Sequence, residues 1–262
     1  LHFDTSNVQN MASMFENCTQ FNQPIHWNVS NVQDMSDMFN GCTNFNNPVQ
    51  FDNTSNVRLV SYMFANCQRF NNLITFDDTS HFTETYEMFF NCTNFNQPLP
   101  WNTVNIINMS GMFKNCRHFN QTLNWNTSNV IFMEQMFYNC VQFNQPFPTG
   151  YWQLNSVRNM SHMFDGCTAF NQSLTHWTIN RDIDINGMFD DTPHFSHANY
   201  PNGVQPPAAA HMRILPGANE GVAFQIHKAI ELVDLNALTA ILNPDNRHVE
   251  ANTPQQIITR LE

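Results

Sequence analysis

Residues 14–24 read MFENCTQFNQP, and the chain repeats the phrase. MFNGCTNFNNP begins at Met38, MFANCQRFNNL at Met63, MFFNCTNFNQP at Met88 and MFKNCRHFNQT at Met112. MFYNCVQFNQP begins at Met136, MFDGCTAFNQS at Met163 and a decayed MFDDTPHFSHA at Met188. The motif phenylalanines are separated by 24, 25, 25, 24, 24, 27 and 25 residues. A fixed period in this range predicts stacked repeats, in which each unit buries its apolar face only against its neighbours.

Two periodicities meet inside one unit. Val8, Met11, Met14, Phe15 and Cys18 fall at steps of three, four and seven, the spacing of one face of a short helix. Ser6 and Asn7 stand before it as candidate N-caps. Phe21, Ile25 and Trp27 fall on alternate positions, as a short strand places them. Pro24 cannot donate to a ladder, so the strand is expected to start at or after it. The expected fold is an α/β repeat solenoid, leucine-rich-repeat-like, with a short helix and a short parallel strand per coil of about 25 residues.

The expected core ladder is Phe15, Cys18, Phe39, Cys42, Phe64, Cys67, Phe89, Cys92, Phe113, Cys116, Phe137, Cys140, Phe164 and Cys167. Each large apolar side chain buried contributes about 1.5–3 kcal/mol, so one coil cannot offset its chain entropy but a stack can. The Asn after the second Phe (Asn22, Asn46, Asn71, Asn96, Asn120, Asn144, Asn171) is read as an inward-facing amide serving backbone groups of its own coil and the next.

The stretch TSNVQNMASMFENCTQFNQPIHWNVSNV resembles the BspA-like repeat family, leucine-rich-repeat relatives found in mycoplasma-type surface lipoproteins. The resemblance covers residues 1–198, about eight coils. It implies surface display and adhesion or protein binding, and it carries no catalytic residues. Phe82 in place of Val, Leu73 in place of Pro and a three-residue insertion around Thr149 and Gly150 depart from the pattern.

Residues 199–220 are rich in Pro, Ala, Asn and Gly and read as a linker. Residues 221–262 read as helical. They are expected either to cap the stack near Phe189 and Phe195 or to begin an ankyrin-like region, since IHKAIELVDLNALTAIL and the later TP are similar to one ankyrin repeat.

The chain carries 10 Lys and Arg against 21 Asp and Glu, with net charge −11 and only two lysines. A nucleic-acid partner needs clustered basic residues and is not expected. No run of 18 apolar residues offers a membrane span. Asn, at 40 residues, carries much of the polarity.

The seven cysteines follow the repeat and lack CxxC pairs, so buried free thiols are expected, with no metal and no cofactor. Unpaired thiols suit a reducing compartment, whereas the family resemblance implies a cell or virion surface. His194 and His197 stand a helical step apart without a third ligand. Asp77-Asp78 and Asp190-Asp191 fall at turns, where caps are expected, so no enzyme activity is anticipated. Gln23, Gln97, Gln121, Gln145 and Gln172 recur at one position, but ice-binding faces favour small flat rows of threonine type.

The expected function is therefore a non-enzymatic scaffold for binding other proteins, with self-association or a larger assembly as partners. The alternative is a structural component of a large particle, such as a giant-virus virion or an intracellular assembly. The residue after the motif Phe varies most: Glu16, Asn40, Ala65, Phe90, Lys114, Tyr138 and Asp165. Phe90, Lys114 and Tyr138 form the candidate interaction surface, because aromatics anchor interfaces.

Overall fold

The computed structural model describes residues 3–179 and 182–204. They belong to one compact unit, which runs from Leu1 to Val204. The remainder of the expected linker and the helical segment lie outside the described residues.

Three strands form a parallel sheet: β1 (Ile25–Asn28), β2 (Val49–Asp52) and β3 (Ile74–Phe76). Ile25 pairs with Val49 and Val49 with Ile74, so each unit sits in register on the next. Ile25 and Trp27 are buried while His26 and Asn28 face solvent, as the two-residue period requires. The named strands stop after β3. In the next unit Pro100 occupies the position of Thr75 and has no N–H for the ladder. Leu99 and Trp101 on either side of it are still buried.

A second line of contact crosses all the units. Single parallel bridges link Asn10 to Asp34, Leu59, Glu84, Asn108, Phe132, Asn159 and Asp184 in succession.

The expected short helix is not formed: the described residues contain no α-helix, only two 3-10 turns, Thr54–Asn56 and His197–Asn199. A ribbon of overlapping turns takes its place. Met112, Lys114 and Cys116 donate their N–H groups three residues back, to Met109, Gly111 and Phe113. The alternate residues Gly111, Phe113 and Asn115 donate instead to Glu134, Met136 and Tyr138 of the following unit, at 2.7–2.9 Å.

The cause is two left-handed residues per unit. Ser13 and Asn17, Asp37 and Gly41, Tyr62 and Asn66, Glu87 and Asn91, and their later equivalents have φ between 48° and 76°. An α-helix needs φ near −63° throughout, so two such residues per unit prevent one. At Tyr62, Glu87, Gln135 and His162 a bulky side chain bears this conformation at roughly 1–2 kcal/mol each. The bonds to the next unit hold them there.

The apolar spacing nevertheless buries the intended side chains. Val32, Met35, Met38, Phe39 and Cys42 are fully buried, as are their equivalents through Phe164 and Cys167. Two columns of parallel rings run through the core. Phe39, Phe64, Phe89, Phe113, Phe137 and Phe164 stack at 5.3–5.7 Å between centroids. Phe45, Phe70, Phe95, Phe119, Phe143 and Phe170 do so at 5.4–6.1 Å. Tyr200 lies 4.9 Å from both Phe189 and Phe195 and covers the last rings.

The ladder differs from expectation in two places. In the first unit Phe15 is half-buried, Cys18 is exposed and Met14 is 44% exposed, because no described unit covers that side. The Asn22 series faces outward. Asn46 donates its backbone N–H to Asn22 Oδ1, and Asn71, Asn96, Asn120, Asn144, Asn171 and Ser196 repeat the bond at 2.9–3.0 Å. These are partly exposed positions. The amide oxygen replaces water at a turn where a backbone donor has no strand partner.

Candidate interaction surface

The turn ribbon sets the residue after each motif Phe between its two left-handed positions and projects it outward. Ala65 is the buried member of the row, and Asn40, Phe90, Lys114, Tyr138 and Asp165 are half-buried. The structure brings the three candidate residues together. Lys114 Nζ lies 5.5 Å from the Phe90 ring centroid and 5.7 Å from that of Tyr138. The same ammonium donates to Gln135 Oε1 at 2.8 Å. Three consecutive units thus form an aromatic–cation–aromatic stack, a geometry worth about 0.5–1 kcal/mol per contact at exposed sites. A second aromatic pair, Tyr62 and Tyr86, lies near the row in edge-on contact at 5.1 Å. Burial raises the Tyr86 phenol well above its ordinary range, with the Tyr62 hydroxyl adding to the effect.

The row changes character after Tyr138. His162 Nδ1 lies 3.0 Å from Asp165 Oδ2, and Asp190 of the next unit joins them. One ligand atom from each lies within 4.8 Å of the others. Burial raises the Asp165 carboxyl, the His162 bond opposes this, and the Asp190 and Asp191 charges reinforce it. The sequence reading missed this group because its members sit in successive units, Asp190 lying 25 residues beyond Asp165 in the text. The usable cue is the row itself: Asp165 and Asp190 occupy the same motif position in successive units.

The other candidates resolve into local structure. Burial pushes the Asp77 carboxyl up, but hydrogen bonds from Thr54 and from the Asn53 and Thr54 backbone hold it below its ordinary value. Asp78 is lowered by the Ser80 hydroxyl and backbone N–H. Both serve as turn caps. His197 lies in the 3-10 turn, its ring 6.0 Å from that of Tyr200.

Gln97, Gln121 and Gln172 donate back to Asn71, Asn96 and Asn144. Along this Asn series an open polar groove of about 450 Å³ is lined by Asn46, Arg69, Asn71, Asn94, Asn96, His118 and Gln142.

The cysteines form a ladder of their own. From Cys42 to Cys167 each Sγ donates to the Phe carbonyl of the preceding unit, at 2.9–3.1 Å. That carbonyl already accepts the Cys N–H of its own unit, so the thiol acts as a small buried donor to its second lone pair. Burial pushes the Cys42 thiol up to about 12 and also raises the thiols deeper in the stack well above their ordinary value. All seven cysteines are unpaired, and six are buried.

Among the described residues no helix is long and apolar enough to cross a membrane. A family model described as "Mycoplasma protein of unknown function, DUF285" matches residues 1–100 and, again, residues 87–201. No curated protein and no solved structure matches the chain.

Proposed function

We propose that this chain, which belongs to the DUF285 family of Mycoplasma proteins, is a non-enzymatic scaffold that binds other proteins. In this reading its repeats form a BspA-like, leucine-rich-repeat-type solenoid, displayed at a surface in the manner of an adhesin. The observation that carries the reading is the Phe90–Lys114–Tyr138 stack. The core words hardly change between units, because each layer must fit the next. This outward row is where chemistry varies, and it presents two large aromatics on half-buried, outward positions. Aromatic rings beside a cation supply the rigid, amphipathic contact area that protein interfaces favour.

The test replaces Phe90 and Tyr138 together with Ser. Association with partners cross-linked on the intact source, or self-association by sedimentation, is then compared with that of the parent chain. Weakened association with an unchanged circular dichroism spectrum supports the surface. Unchanged association refutes it.

One observation favours a second reading, a structural component of a virion or an intracellular assembly: the six buried thiols are unpaired and donate hydrogen bonds, as suits a reducing compartment. Immunogold labelling of intact and permeabilised source material separates the two. Label only after permeabilisation would overturn the surface reading.

A further inference from the structure

We propose that His162, Asp165 and Asp190 bind one divalent cation of the zinc type. They supply one imidazole nitrogen and two carboxylate oxygens, all within 4.8 Å of one another. Imidazole with carboxylates suits a borderline first-row ion, and three protein ligands leave a position for water or for a partner's donor.

The simpler interpretation is a His162–Asp165 ion pair sharing a proton at 3.0 Å. It leaves Asp190 unexplained. Asp165 and Asp190 hold the same place in successive units, so the stack sets one carboxylate beside the next. Like charges directly opposite one another are destabilising. Among the described residues neither carboxylate pairs with a Lys or Arg; the ion pairs found all involve histidine. Elsewhere the row avoids the conflict, with Glu16 beside Asn40 and Lys114 between two rings.

Gly187, with φ of 64°, lies beside the cluster. A Cβ there would press into the His162 ring and come 3.1 Å from Asp190 Oδ2. The glycine lets the two units approach closely at the cluster, as Gly111 does against Glu87. The equivalent residue is glycine in one other unit, at Gly111, and Ser13, Asp37, Tyr62, Glu87, Gln135 or His162 in the rest. An ion at this point takes the place of the proton between His162 Nδ1 and Asp165 Oδ2 and draws Asp190 into the same charge balance. Each ligand comes from the ribbon of stacked turns, so binding also ties the last two motif units together.

The experiment uses the full chain, reduced and chelator-treated, titrated with zinc chloride by calorimetry and followed by a melting scan. The parent chain and Cys18→Ser should both take up one saturable equivalent and melt at higher temperature with zinc. Asp190→Asn changes an exposed side chain and should keep the fold by circular dichroism. It should weaken zinc binding by at least about tenfold, as loss of a ligand-level group does. His162→Gln should do the same if it folds; if it does not, Asp190→Asn decides. No saturable binding, binding unchanged in Asp190→Asn, or binding lost in Cys18→Ser alone would each overturn the assignment.

Discussion

Replacing Phe113 with Ala should remove more stability than the same change at Phe15, and the difference follows from where each ring sits in the stack. Phe113 is fully buried. Its ring lies 4.0 Å from Phe119, 5.7 Å from Phe89 and from Phe137, and 6.0 Å from Trp125. Both neighbouring units grip the site, so it cannot collapse, and the loss should reach the upper part of the range for buried Phe→Ala, about 4–5 kcal/mol. Phe15 has Phe39 on one side only and is half-buried. Truncation there opens a surface notch rather than an enclosed cavity. Its cost is closer to the transfer term alone, about 1.5–2 kcal/mol. Phe113→Leu keeps most of the volume but loses four ring contacts, and should cost about 1.5 kcal/mol. Urea unfolding followed by tryptophan fluorescence gives all three values. Equal losses at Phe15 and Phe113, or a loss below about 1 kcal/mol for Phe113→Ala, would refute the nearest-neighbour stacking argument.

With a maleimide label at neutral pH, Cys18 should react within minutes and the six buried thiols only after denaturation; rapid labelling of most of them would contradict the ladder. Folding raises the buried thiols above the ordinary 9.0. The folded state therefore holds their protons more tightly, and their contribution is complete below about pH 9 and falls as the pH rises past it. A chain with Cys92, Cys116 and Cys140 changed to Ala should show a shallower alkaline decline in melting temperature. The Trp177 indole N–H is buried without a partner, whereas that of Trp125 donates to the Leu99 carbonyl at 3.0 Å. Trp177→Phe should thus be less destabilising than Trp125→Phe by about 1–3 kcal/mol, as measured by urea unfolding; equal losses would contradict the assigned bonding.

The repeat, its core and its register were legible because identical spacing forces identical layers. The Met, Phe and Cys positions chosen from the text are the buried ones in every unit with described neighbours on both sides. The helix was misread because steps of three and four fit the turn ribbon as well as a helix turn. The correcting signal was present in the text. Asn, Gly or Asp precedes the Cys position in all eight units, at Asn17, Gly41, Asn66, Asn91, Asn115, Asn139, Gly166 and Asp191, the residue types that tolerate a left-handed backbone. The partner at the first left-handed position is Gly in only two units and Ser, Asp, Tyr, Glu, Gln or His in the other six, and tertiary hydrogen bonds impose its conformation. Phe90, Lys114 and Tyr138 could be placed in one row from their shared motif position. The cation lying between the rings depends on the distance between units, which no single unit encodes. The His162 group escaped for the same reason.

The architecture rests on backbone bonds that run between units rather than along a helix. Trans-hydrogen-bond scalar couplings in a labelled sample report such bonds directly. The Phe113 N–H should correlate with the Met136 carbonyl, as should Phe89 with Met112 and Phe137 with Met163. Correlation of the Phe113 N–H with the Met109 carbonyl, the partner a helix would give it, would contradict the stacked-turn architecture and the surface row built on it.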